Sequence, residues 1–588
     1  MTFFAAAALA AVTWYPAPDW VDRPDPVASV HAKKGGRIRF NGASAPESNN
    51  AYIDTSSYTS MMFSMMYLPL ISTDSETLEF TPCVAKKWAV SDDWNEYTFV
   101  IDERATWSDG RPVSALDVKW TFDAIMDRKS NSGPYKTMLG GFESPEILDA
   151  DTDRPLTVKF RKKGSTPRNW RDLMHCGTFW ILPRHAFEGK DFNKLDFLGA
   201  PAGGPYMISK VDENVETVYS RVKTWWRKDL PSCRHVYNFD EIVMRYYAEN
   251  ENGFFALMKN MIDVYPVYSA RLWVQSANGK AYDRNWILKR RVTNHEPVGY
   301  QGFAMNMRNF PFDDVRVRKA MAKLVDRVMM NRTMMYNEYF MQNSFYGDLY
   351  DEEHPCPNEL VLFDSEGAAE LLKEAGFSKN PETGVLEKDG RPFVFKFLTR
   401  EQNNDKFLVH FKTALENLGI KMHIERKDFT SWMKDMDDFN FQMTWSAMGA
   451  SIFRNPEIFW LSSEADRKTS GNYTGFRSEE VDRIIAAEKS MMTVAERNAA
   501  YREIDRLVSA EHPYAFLWNI SAKRLIYWNK FGMPDTILSR YSNEEAVLSY
   551  WWFDADKDEE LRDAQKRNAF LPKVPVEVDF DKKFKKAK

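Results

Sequence analysis

Apolar residues fall at two different spacings along this chain, and the two kinds of segment alternate. Period two, the spacing of a half-buried strand, marks Gly36–Phe40, Tyr97–Ile101, Leu156–Phe160, Thr217–Arg221, Glu241–Tyr247, Phe393–Leu398 and Phe441–Trp445. Helical spacing marks Val118, Phe122 and Ile125; Val317, Met321, Leu324 and Val328; Ala368, Leu371, Leu372 and Ala375; and Val481, Ile484 and Ile485. A Met-rich stretch between Tyr52 and Leu70 reads as a core helix. Helix starts are written into the sequence as well. Ser114 and Asp117 have the spacing of a capping box, Asp313-Asp314, Asp364 and Ser478 can each cap a helix, and Gly376 can end one. Strands alternating with helices predict mixed α/β domains.

Length and charge narrow the class. At 588 residues the chain predicts two to four domains, at roughly 150 residues each. A net charge of −5, from 79 basic and 84 acidic residues, gives no surface for nucleic acid or an anionic membrane. Aromatic content of 14% fits large cores first and an aromatic-lined cleft second. The apolar run at residues 3–12 is too short to span a membrane, which takes roughly 20 residues. It reads as the core of a secretory signal, although no Lys or Arg precedes Arg23. Residues 13–34 read as linker, with order beginning near Gly36, and the basic tail at 581–588 is expected to fray. Four cysteines, Cys83, Cys176, Cys233 and Cys356, allow three pairings in an exported protein. His175-Cys176 and Cys233-x-His235 lack the short paired spacings of a zinc site. The chain has no GxSxG, HExxH, P-loop or GxGxxG motif, so no enzyme has positive support and no metal or cofactor is expected.

Six collinear blocks carry a resemblance: Phe80–Trp88, Trp107–Phe122, Gly203-Gly-Pro-Tyr206, Asn306 with Pro311–Arg318, Asp364–Phe377 and Asn472–Asp482. Together they resemble the extracellular solute-binding proteins, family 5, that serve ABC importers of peptides and nickel. Trp225–Pro231, Tyr237-Asn-Phe-Asp240, Arg245-Tyr-Tyr247 and Met329–Tyr336 are similar to its YejA-like branch. The resemblance implies an α/β, two-lobed periplasmic-binding-protein-like fold (type II, cluster C) with a two-strand hinge. Residues 1–35 would be signal-like segment and linker. Lobe one would comprise 36–70, 196–297 and 521–588, with an inserted subdomain at 71–195; lobe two would span 298–520. It further implies a periplasmic monomeric receptor, not an enzyme, that captures oligopeptides, murein-derived or modified ones included, between its lobes for a membrane permease. A non-peptide ligand, opine-like or sugar-peptide, stays open, as does a periplasmic peptidase or amidase.

The same resemblance suggests where ligand is held. In many members an acidic residue binds the ligand's α-amino group in the segment matching Trp445–Pro456, but here no acid lies between those residues and Arg454 stands there instead. Arg454 either meets an acidic ligand or pairs with a local acid such as Glu457. Arg400, just after a strand, suits a ligand carboxylate because its fork matches one bidentately; otherwise it is a solvated surface residue. Trp445 and Ser446 lie at a strand end, where Trp445 either stacks on ligand or packs in the core. Tyr52 and Tyr58, after the first strand, are further ligand-binding candidates, whereas Tyr300 and Phe303 read as structural.

Overall fold

The computed structural model describes residues 12–587 apart from 43, 55, 165–166, 248, 401–403 and 521; the core of the signal-like run therefore lies outside the described residues. The chain divides into two compact units. Unit one is Met1–Tyr268, Ala277–Asn294 and Lys523–Lys588, and unit two is Ser269–Ser276 and His295–Ala522.

Beside two two-stranded pairs, unit one holds two large sheets among the described residues. The larger has eight strands in the order Glu577–Asp579, Ile287–Thr293, Ala522–Trp528, Val264–Pro266, Arg37–Asn41, Glu241–Arg245, Glu216–Arg221 and Tyr206–Asp212. Arg37–Asn41 runs parallel to both of its neighbours. The buried Asp263 sits just before one of these central strands. It takes the Arg39 backbone N–H (2.8 Å) and pairs with the Arg39 guanidinium (2.6 Å) and with Lys530 (2.7 Å). Burial alone would push this carboxyl up; the hydrogen bond and charge of Arg39, with Lys530, hold it below the usual range instead.

The second sheet, five strands and wholly antiparallel, explains the Trp107–Phe122 run. Ser114 donates its N–H to Asp117 (2.9 Å), closing the capping box on the helix Ala115–Met126, and Val118, Phe122 and Ile125 are buried. The turn before it docks on a second motif. Ser108 N–H donates to Ala202 O (2.8 Å), and a Cβ on Gly203 would come within 2.9 Å of the Trp107 ring. At Gly204 a Cβ would lie 2.2 Å from the Met65 carbonyl oxygen. Both glycines are needed for close approach.

Unit two is built on a five-stranded mixed sheet, ordered Lys421–Arg426, Val394–Thr399, Met443–Met448, Tyr300–Met305 and Tyr514–Phe516. One apolar cluster around Phe303, Met305, Phe395, Phe397 and Phe411 covers one face, and another around Tyr300, Ala304, Phe345, Trp460 and Tyr514 covers the other. The caps Asp314, Asp364 and Ser478 each accept a backbone N–H at the helix they start.

Three expectations are corrected, and the cysteine pairing that the sequence left open is answered. Val12–Tyr15, expected as linker, is a strand antiparallel to Ala85–Ser91; Tyr15 stacks on Trp88 (5.9 Å) and Lys87 lies over Trp14 (4.5 Å), so an open sheet edge orders it. The helix expected to carry Val317 through Val328 stops at Lys323. Asp326 accepts the Met329 N–H and starts a new helix, Arg327–Met334, on which Val328 is exposed. The basic tail is helical over Phe580–Ala587, anchored where Phe580 stacks on Phe584 (5.1 Å) beside Arg540. All four cysteines are free thiols, three of them buried.

Two outcomes follow from this packing. In the reduced native protein Cys356 alone should react quickly with a thiol reagent, the other three only on unfolding; a second fast thiol would contradict the burial. Asp263→Asn should cost about 3–5 kcal/mol at neutral pH, because it leaves buried cations unmatched. Its depressed pKa means the contribution is present above the unfolded value and lost as pH falls through the folded one. Equilibrium unfolding against pH, native against variant, measures both.

Candidate functional site

The strand Met443–Met448 carries two of the candidates and sends them to opposite faces, as successive strand residues must go. Trp445 pairs with Phe303 across the ladder and packs edge-on against it (5.4 Å), beside Phe407 and Trp518. Its Nε1–H reaches Gln301 Oε1 (3.3 Å), leaving the indole half-buried. Ser446 faces the other cluster, buried against the Tyr514 phenol.

Arg400 joins them at the same end of the sheet. Leu398 pairs in parallel with Thr444, so the register sets Arg400, two residues on, level with Ser446. This is the carboxyl edge of two parallel strands, where open α/β sheets present ligands. Arg400 is exposed, and its guanidinium lies over Phe429 (5.2 Å) and Trp432 (4.9 Å) of the helix Phe429–Asp437.

Arg454 is elsewhere in unit two. It is buried and ion-paired with the equally buried Asp348, with Tyr346 and Tyr501 stacked at 5.6 and 5.9 Å. Glu457, the partner expected from sequence, pairs with Lys489 instead. The departure from the acidic pattern thus has an internal cause: the cation at this position neutralises a carboxylate contributed from 106 residues away. Asp348 carried no local signal, and only the fold brings it in.

Tyr52 and Tyr58 belong to unit one. Tyr52 is fully buried, donating to the Trp180 carbonyl and ringed by Phe63, Tyr135, Trp180 and Phe192, which makes it a core residue. Tyr58 is half-buried on the helix Ser57–Met66, beside Phe40, with the carboxylates of Glu544 and Glu545 near its phenol. Burial, with those carboxylates behind it, raises the phenol's pKa. Among the described residues no group of three His, Cys, Asp or Glu side chains is placed to hold a metal.

The model of the bacterial extracellular solute-binding proteins, family 5 (middle region), matches residues 79–470. The chain belongs to this family. The uncharacterized protein YejA of Escherichia coli K12 is 26% identical over 581 residues, covering 91% of this chain and 92% of YejA. The peptidoglycan-binding protein YepA of Agrobacterium fabrum C58 is 26% identical over 562 residues, covering 87% and 89%. Among solved structures, the oligopeptide-binding protein AppA of Bacillus subtilis, in complex with a nonapeptide, superposes with a TM-score of 0.62 at 17% identity, over 89% of this chain and 99% of AppA. At that identity the likeness establishes the fold, that of the family-5 binding proteins. The matched range takes in Arg400, Trp445, Ser446 and Arg454 of this binding protein and leaves out Tyr52 and Tyr58.

The pairing of Arg454 has a direct test. Arg454→Ala should destabilise the protein by about 3–5 kcal/mol, because Asp348 is left charged in the core, whereas Arg454→Met with Asp348→Leu should recover most of the loss. Chemical denaturation of the two variants measures it; a single variant as stable as the native protein would show the pair to be dispensable.

Proposed function

We propose that this protein is the exported receptor of an ABC importer, which captures oligopeptides and presents them to a membrane permease without catalysis. Membership of the solute-binding family over residues 79–470 carries the reading. The peptidoglycan-binding name of YepA and the nonapeptide held by AppA support a peptide as ligand. No helix among the described residues is long and apolar enough to cross a membrane; the reading takes the protein to be periplasmic and to work as a monomer.

The chemistry at the carboxyl edge of the unit-two sheet agrees with it. A peptide offers main-chain donors and acceptors to strand-like pairing and a carboxylate at one end. Arg400, whose guanidinium lies over two rings, offers a fork to that carboxylate. Main-chain recognition leaves side chains loosely specified, so many sequences would be accepted.

Mass spectrometry of ligand released from protein purified without refolding tests the reading: bound peptide is expected, and an opine, a glycan or hydrolysed peptide fragments would overturn it. Arg400→Ala should weaken binding of free-carboxylate peptides up to about fivefold, the scale of an exposed ion pair, and leave C-terminally amidated peptides unchanged. Equal weakening of both would remove the role given to Arg400.

A further inference from the structure

One cation buried in unit two meets no opposite charge among the described residues. Arg318 faces Glu511, and Arg454 faces Asp348. Arg327, only 3% exposed, donates to carbonyl oxygens alone: Nη1 to Gln342, Phe516 and Leu517, and Nη2 to Val361. Those bonds use Nη1 and Nη2 and not Nε. Burial alone acts on the guanidinium and lowers its pKa to about 10, with no carboxylate to raise it. It is therefore charged at neutral pH. A full charge held away from water without a partner is costly, and a bound anion would relieve that cost.

Arg327 stands on the wall of a cavity of about 320 Å³, together with three of the residues whose carbonyls it holds, Gln342, Val361 and Phe516. The other charged side chains on that wall are matched or neutral. Lys319 pairs with Glu359 (2.6 Å), and Arg506 with Glu503 (2.6 Å). Burial first, and Lys319 second, hold the His512 imidazole down to about 4, so it carries no charge at neutral pH. One positive charge is left over, that of Arg327. The space is that of a small-molecule pocket, more than a bare ion fills. It opens beside the edge strand Tyr514–Phe516, and two strands lie between that edge and Val394–Thr399, the strand that leads to Arg400.

We propose that this cavity is a separate binding site for a small molecule bearing one oxyanion group, a carboxylate or a phosphate, whose charge Arg327 matches. A guanidinium suits both groups. Lys319 has three N–H donors and can give one to the ligand while keeping Glu359. Glu359 sets the limit on affinity, because it already holds Lys319 and repels a second anion. The site does not depend on what the protein transports.

The test measures binding of radiolabelled orthophosphate and of radiolabelled acetate to the full chain, by equilibrium dialysis in chloride at constant ionic strength. Arg327 also holds four carbonyls, so the substitutions are made beside it, at the partly exposed Lys319 and Glu359. At least one probe should bind the native protein. K319Q should weaken that binding about three- to tenfold, the scale of a partly screened charge-assisted hydrogen bond. E359Q should tighten it by a similar factor, since it frees Lys319 and removes the competing carboxylate; a damaged fold cannot produce such a gain. Preference for orthophosphate assigns the site to a phosphate ester, and preference for acetate assigns it to a carboxylate. Binding of neither probe, or binding that the two variants fail to move in opposite directions, overturns the inference.

Discussion

A charge taken out of water must be met inside the protein, and that constraint organises both units. In unit one, Asp263 binds the backbone and the guanidinium of Arg39 and the ammonium of Lys530. It thereby fixes the start of one central strand against its parallel neighbour. In unit two, Arg454 and Asp348 join the loop after the strand Met443–Met448 to the turn Gly347–Leu349. Arg327 does the same work without an acid, donating to the carbonyls of Gln342, Phe516, Leu517 and Val361. Such groups add little net stability over apolar residues of the same shape, but removing one partner is expensive. Each therefore specifies which segments meet.

What could be read from the sequence was local. The capping box at Ser114 and Asp117, the caps Asp314, Asp364 and Ser478, and the stop at Gly376 act over three or four residues, and each stands where its spacing puts it. The Gly203-Gly204 turn was recognisable, but its reason was not: the Trp107 ring and the Met65 carbonyl press on it from 96 and 139 residues away in number. The same limit explains the misreadings. Val12–Tyr15 is ordered by a sheet edge some 75 residues on, and the tail helix by Arg540. The break between the two helices at Asp326 was a local signal, overridden in reading by the longer apolar period.

The candidate residues divide along the same line. Period two at Phe441–Trp445 gave a strand, but it runs over Met443–Met448, so Trp445 and Ser446 lie within it and not at its end; period two also requires the two to part company, one to each core face. Arg400 was recognisable as the residue after a strand; that its register is level with Ser446 depends on the parallel pairing of Leu398 with Thr444. Arg454 was noticed because an expected acid was missing. Its partner Asp348, in a short turn with no pattern around it, was invisible until folded.

The role proposed for Arg400 is limited by the same constraint. Arg400 is exposed, so water and salt screen its attraction for a carboxylate to about 1 kcal/mol or less. The Arg454–Asp348 pair is buried, where the effective dielectric is lower and the same unit charges interact several times more strongly. The charges that hold the fold are therefore the buried ones, whereas a screened contact such as Arg400 adds a preference for a carboxylate and not a requirement.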